Sequence, residues 1–178
     1  MSIPKDPDPA KLVISFFMKE KEIFSKVFSL IEEVAGTVDI ISPWFDFDYT
    51  DYYHKEMGHP LFRRVVAYKR LLEQDQLSVI KQKTNNIENQ FIHNDKRHIN
   101  IDPGILLSSR FILATGKDFS HRIYIGNQIY ADLTLIYRNL KFHKLDWTYP
   151  DYASDEMTAF LIKVRNKYVF DLKERKNR

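Results

Sequence analysis

The amino-acid sequence predicts an α+β fold, and three observations carry that prediction. Strand-like and helix-periodic segments alternate in the order strand, helix, strand, strand, helix, strand. A run of strands without intervening helix follows, and an amphipathic helix closes the chain. Hydrophobic residues make up 44% of the 178, enough for a core without covalent staples. There is no cysteine, which excludes disulfides, thiolate metal sites and a thiol nucleophile.

Residues 1–10 contain the steps Ile3-Pro4, Asp6-Pro7 and Asp8-Pro9 and read as an extended arm, with 11–178 as a single domain. KLVISFFM (11–18) is apolar and rich in strand formers and reads as the first strand. Over 20–35, Ile23, Val27, Leu30, Ile31 and Val34 recur at helical spacing, and Gly36 supplies the stop. TVDIISPWFDF (37–47) reads as the second strand, made an edge or ended by Pro43. The polar, aromatic segment 49–60 predicts a short helix capped by Thr50 and stopped near Gly58. LFRRVVAYKRLL (61–72) is the third strand. Residues 75–92 form a second helix, with Leu77, Ile80, Thr84, Ile87 and Phe91 on its buried stripe and Lys81, Asn85 and Glu88 elsewhere. In HINIDPGILL (98–107), strand residues flank Asp102-Pro103-Gly104. Pro103 presets φ and Gly104 permits a positive φ, as a type II turn demands. Strands continue to Tyr137, and 137–147 reads as a turn and a further short strand. The last helix is capped near Ser154, with Met157, Phe160, Leu161, Val164 and Tyr168 on its buried stripe. This order is that of a ferredoxin-like core with an antiparallel β extension and a C-terminal helix.

The stretch LATGKDFSHRIYIGNQIYADLTL (113–135) holds the strongest chemical signal. ATGKD is not a phosphate loop: position 111 is Phe where a P-loop needs Gly, and Asp118 follows the lysine where Ser or Thr is required. The stretch reads instead as paired strands. Gly126-Asn127 suits a two-residue type II′ turn, which sets Ile125 opposite Gln128 and His121 opposite Asp132. A three-residue loop at 118–120 then sets Lys117 opposite His121. Lys117, His121 and Asp132 fall in one row, with Arg122 on the opposite face. In this row His121 is a general base, Asp132 fixes its tautomer, and Lys117 supplies a point charge. A solvated Lys–His–Asp ladder, stabilising the sheet by roughly 0.2–1 kcal/mol per pair, has the same sequence.

Other constellations are weaker. Asp46, Asp48, Asp51 and Glu56 crowd one segment but lack the EF-hand pattern, and they read as helix-start acids and a solvated loop. His54 and His59, and His93 and His98, lie five apart, whereas helical zinc pairs want four or three, so no residue is assigned to a metal. Thr84, Asn85 and Glu88 share one helical side, facing either solvent or a cleft. The net charge is +3, and Lys163 to Arg178 carries seven Lys/Arg against two acids. The N-terminus has no apolar signal region and no run approaches a membrane span, so the expected location is the cytoplasm, with no membrane partner.

SPWFDFDYTDYYHKEMG, the Thr84-Asn85…Glu88 helix, INIDPGILL, the 113–135 stretch and LDWTYPDY together resemble a prokaryotic family of uncharacterised proteins built on a domain of unknown function. Its members are sometimes automatically labelled GTP-binding proteins. The family pattern has Glu where this chain has Asp132 and Leu where it has Ile101. The first difference keeps the carboxylate and shortens its reach. The resemblance implies that Asp102, Lys117, His121, Arg122 and Asp132 belong to the family's motif stretches, and it implies no reaction or cofactor.

These residues point to an enzyme or binding protein for a small phosphorylated or nucleotide-like anion. The expected catalytic set is His121, Asp132 and Lys117, and the expected ligand contacts are Arg122, Asp102, Tyr124 and Tyr130. The reading from another class is a non-catalytic nucleic-acid-associated or scaffolding module using the basic C-terminal helix. A third is a homo-oligomer with the polar row in its interface.

Overall fold

The computed structural model describes residues 1–177. The first strand, β1 (Ala10–Met18), is followed by a 3-10 turn and helix α1 (Phe24–Ala35). Gly36 ends α1 at φ 82°, where only glycine is unstrained, with its amide on the Glu32 carbonyl at 2.9 Å. Next come β2 (Val38–Ile41), β3 (Phe45–Asp46), a 3-10 turn at Asp51–Tyr53 leading into α2 (His54–Met57), and β4 (Phe62–Leu72). Helix α3 (Leu77–Asn89) leads to a small hairpin, β5 (Ile92–His93) with β6 (Lys96–Arg97). Then follow β7 (Ile99–Leu106), β8 (Arg110–Thr115), β9 (Arg122–Tyr124), β10 (Tyr130–Arg138), β11 (Lys141–Lys144) and α4 (Asp155–Lys176).

The main sheet runs β11-β10-β8-β7-β1-β4-β2, with β3 on β4 and β9 on β10. Every pair is antiparallel. The order β7-β1-β4-β2 interleaves two split units: α1 joins β1 to β2 around β4, and α3 joins β4 to β7 around β1. The fold is therefore α+β with the ferredoxin-like order. The β extension continues the same sheet through β8, β10 and β11.

Strand β1 is buried at all nine positions, because helices cover both faces of it. Its even residues, Leu12, Ile14, Phe16 and Met18, pack with Val27 and Ile31 of α1 and Ile80 and Ile87 of α3. On the odd face, Val13 packs with Val65, Leu106 and Phe111 of the sheet and with Phe160, Leu161 and Val164 of α4. Ser154 caps α4 by accepting the Met157 amide at 3.2 Å. Lys11, also on the odd face, is fully buried and bonds Asp171 of α4 at 2.9 Å and Asp39 of β2.

The second strand lies at the sheet edge and breaks at Ser42-Pro43, as Pro43 implied: the Ser42 amide still donates to the Val65 carbonyl at 2.8 Å, while its Oγ accepts the Val65 amide at 2.9 Å. Two local expectations fail. Asp102-Pro103-Gly104 makes no turn; β7 runs straight through it, paired to β1 from Ile99 to Leu106. Gly104 is required by close approach rather than by φ. A Cβ there would lie 2.6 Å from the Ile112 carbonyl oxygen and 2.9 Å from the Phe111 ring. The second is the 126–128 loop. Gly126, Asn127 and Gln128 all have positive φ, and Ile125 pairs with Ile129 across them. The loop has three residues rather than two, so the register slips by one and Asp132 faces Arg122 instead of His121.

Gly104→Ala is expected to destabilise by about 1–3 kcal/mol through overpacking. Gly116→Ala, where an added Cβ meets nothing within 4 Å, is the near-neutral control. Urea unfolding of both variants checks this; equal midpoints would show that the β7–β8 contact has room to spare.

Candidate functional site

The site begins where two strands part. β8 pairs with β7 only across Gly104–Leu106, while its other edge stays on β10 as far as Thr115. Ile101, beyond the end of that ladder, finds its partners on α3. Its amide donates to Glu88 Oε1 at 2.5 Å and its carbonyl accepts from Lys81 Nζ at 2.8 Å. Strand residues two apart turn their amides to the same edge, so Pro103 has its nitrogen on this edge with no hydrogen to give. The ladder therefore has no donor there, and β7 and β8 diverge.

A cavity of about 690 Å³ lies at the divergence. Asn100 and Asp102 of β7 line one side and Leu113 to Lys117 the other. Lys81, Asn85 and Glu88 enter from α3, Arg63 from β4 and Phe17 from β1. Two loops complete the wall with tyrosines, Tyr49, Tyr52 and Tyr53 from one and Tyr149 and Tyr152 from the other.

Charge is concentrated here. Arg63, Lys81, Arg97, Lys117 and Arg122 face Glu88, Asp102, Asp132 and Asp151. Lys81 Nζ lies 3.4 Å from Asp102 Oδ1, and Asn100 donates to Asp102 Oδ2 at 2.6 Å. Arg97 grips Glu56 through two bonds of 2.6 and 2.8 Å and donates to Asn100 at 3.1 Å. This bidentate bond holds the Glu56 carboxyl below its usual range. Burial pushes the Glu88 carboxyl up to about 7, against the pull of Lys81. Burial also raises the Tyr53 and Tyr152 phenols, which therefore stay protonated.

Arg63 is the exceptional group. It is 3% exposed and bonds Asp151 through Nη2 at 2.6 Å, yet its Nε and Nη1 have no hydrogen-bond partner. Its guanidinium lies 4.6 Å from the Phe47 ring centre and 4.8 Å from that of Tyr152. The Tyr152 hydroxyl is likewise buried without a partner.

Of the residues singled out in the sequence, Asp102, Lys117, Arg122 and Asp132 line the cavity. The row itself does not form as expected, because β9 pairs with β10 and not with β8. Residues 116–121 cross to the far edge of β10, so Lys117 does not oppose His121. Its Nζ lies 3.5 Å from the Tyr52 hydroxyl, and its carbonyl accepts from Arg122 Nη1 at 3.0 Å. Arg122, expected on the opposite face, instead donates from Nε to Asp132 Oδ2 at 2.9 Å. His121 reaches the same oxygen at 3.3 Å from the loop before β9, stacked on Trp147 at 4.8 Å and 12°. It is absent from the cavity wall. Tyr124 and Tyr130 pack on each other at 5.4 Å and also lie outside it.

Sequence reasoning passed over Arg63, Lys81, Arg97 and Asn100 and left Glu88 open. Signals were present for some. Lys81, Asn85 and Glu88 are spaced i, i+4, i+7 on one helical face, and Arg63 sits inside an apolar strand. Three basic residues of α4 are engaged: Arg165 donates to the Ser108 carbonyl at 2.6 Å, Lys167 pairs with Asp171, and Lys176 with Asp8 at 2.9 Å. Arg178 lies outside the described residues. Among the described residues, no helix is long and apolar enough to cross a membrane.

Residues 8–168 match the family model described as a domain of unknown function, DUF4416, and the chain belongs to that family. No curated protein and no solved structure matches the chain.

The raised Glu88 carboxyl makes stability depend on pH. Between its ordinary 4.5 and about 7, the folded state holds a proton that the unfolded state has released. Stability therefore falls as pH rises through that window, by roughly 3 kcal/mol at most for this group. Glu88→Gln keeps an acceptor for the Ile101 amide and is expected to flatten that fall. Urea unfolding at pH 5 and pH 8 checks it; an unchanged slope in the variant would put the pH dependence elsewhere.

Proposed function

We propose that this DUF4416 domain binds a small phosphorylated or nucleotide-like anion in the cavity between β7 and β8. The observation that carries the reading is Arg63. Buried donors are almost always satisfied, and leaving one unmade costs about 1–3 kcal/mol. Two anionic oxygens, one at Nε and one at Nη1, which point to different sides of the guanidinium, would satisfy these donors with charge-assisted bonds, and Asp151 and the flanking rings hold the guanidinium still for them. The Tyr152 hydroxyl offers a further donor.

The surroundings support an anion larger than phosphate. The cavity's 690 Å³ falls in the range of roughly 300–1,000 Å³ typical of small-molecule sites. Tyr49, Tyr52 and Tyr149 are exposed at its wall and offer ring faces to a planar group. Lys117, exposed beside Tyr52, supplies a second positive point. The anion would be held by side chains, since no glycine-rich phosphate loop exists in the chain.

Binding is better supported than acid–base catalysis by the expected set. Arg122 and His121 share one oxygen of Asp132, so the carboxylate is engaged by a cation, and the imidazole lies behind it. In this reading His121 positions Asp132 and Arg122, and it does not touch the ligand.

Adding nucleotides, pyrophosphate and sugar phosphates is expected to raise the melting temperature, by an amount equivalent to about 2.7 kcal/mol at one hundred times Kd. Arg63→Lys keeps the charge for Asp151 but loses the Nε and Nη1 donors, and it should weaken binding roughly 10- to 100-fold, the worth of about 1.5–3 kcal/mol. Lys117→Ala should weaken it about tenfold without loss of stability. No stabilisation by any of these ligands at millimolar concentration would overturn the proposal.

A further inference from the structure

A second cluster lies on the segment that carries the cavity's tyrosines. We propose that Asp48, His54 and His59 form a binding site for a divalent transition-metal ion, of which Zn²⁺ is the reference case, and that the ion clips the 48–59 loop closed beside the cavity.

One ligand atom from each of these residues lies within 4.8 Å of the other two. The chain brings them together by a reversal that spacing alone does not reveal. His54 opens α2, and Gly58 ends it at φ 81° with its amide on the His54 carbonyl at 3.0 Å. The chain then turns back, and the His59 ring comes to 4.8 Å from that of His54. Asp48 approaches from before the 3-10 turn.

The surroundings of His54 single out one nitrogen. Its Nδ1 lies 3.1 Å from Asp51 Oδ1, whereas its Nε2 is buried with no hydrogen-bond partner. A carboxylate beside one ring nitrogen and an unpartnered second nitrogen is the pattern by which proteins orient a metal-binding histidine. Two imidazoles and a carboxylate suit Zn²⁺, Co²⁺ or Fe²⁺ better than Mg²⁺ or Ca²⁺, which prefer all-oxygen sets. Ligand atoms around Zn²⁺ sit roughly 3.3–3.6 Å apart. Side-chain rotation on one short loop closes the remaining distance, since Asp48 and His59 are exposed and free to turn.

The consequence reaches the cavity. Tyr49, Thr50, Tyr52 and Tyr53, which line it, all lie between Asp48 and His54 in the chain. An ion held by those two residues closes the loop that carries them. The metal site stands apart from the anion proposal, because it shares no residue with Arg63 or its partners.

The test uses the full chain, stripped of metal by a chelator and titrated with Zn²⁺ and Co²⁺ by calorimetry, with bound metal counted by elemental analysis. One equivalent is expected, with a Co²⁺ absorption band in the visible. His59→Asn and Asp48→Asn, both at exposed positions, should each weaken binding at least roughly 100-fold and leave the chelator-treated melting temperature unchanged. Asp51→Asn, a positioning change, should weaken it by about 10-fold. Zn²⁺ should also protect the 48–59 amides from hydrogen exchange. Absence of stoichiometric binding overturns the proposal, as does binding that His59→Asn and Asp48→Asn leave intact, which would place the ion elsewhere. Arg63→Lys should bind Zn²⁺ like the parent chain, so failure of either proposal is read separately.

Discussion

The site depends on one gap in a hydrogen-bond ladder. A proline in the middle of a sheet removes a donor, and here it does so on the edge that β8 would otherwise cover. Two side chains of α3 take the place of the missing strand: Glu88 receives the Ile101 amide and Lys81 caps its carbonyl. Either backbone group left buried and unpaired would cost about 1–3 kcal/mol, so the pair is held in place by the strand as firmly as it holds the strand. Opening the ladder also exposes what it would have hidden. Asn100 and Asp102 face a cavity rather than a neighbouring strand, and a helix from the other side of the sheet reaches that cavity through the opening.

Buried charge in this fold is of two kinds, and their hydrogen bonding separates them. Lys11 meets two carboxylates, Asp39 and Asp171, and ties β1 to β2 and α4. It is a structural cross-link between layers. Arg63 is almost as deeply buried, yet it has one carboxylate and two buried donors without a partner, on a side chain that lines the cavity. A group of the second kind is not needed to hold layers together in that form; a hydrophobic side chain would do so at lower cost. The aromatic rings around it, Phe47 and Tyr152, exclude water and strengthen any ion pair formed there. Glu88 reports the same low-dielectric environment through its raised carboxyl.

Much of the fold was legible in the sequence. The helical stripes of α1, α3 and α4, the stop at Gly36, the caps at Thr50 and Ser154 and the ferredoxin-like order follow from periodicity and local chemistry, which act within a few residues. Less of the site could be read. The register across 126–128 turned on whether Gln128 adopts a positive φ, a choice between loops of similar energy that the strands on either side decide. That single residue exchanged Arg122 for His121 opposite Asp132. The adjacency of β10 and β8, with β9 displaced to the other edge, separated Lys117 from His121 in the same way.

The sequence by itself determined which segments are strands and helices, which faces are apolar, and that no cysteine or glycine-rich loop chemistry is available, because these rest on residue type and short-range spacing. Only the tertiary structure decided that Asp102-Pro103-Gly104 is a strand and not a turn, that Lys81 and Glu88 are buried, and that Arg63 meets Asp151 across 88 positions of chain. The physical reason is that a turn signal or a polar side chain carries no record of its neighbours in space. Whether a proline bends the chain or opens a ladder depends on the strand beside it, and whether a charge is solvated or buried depends on the layer folded over it.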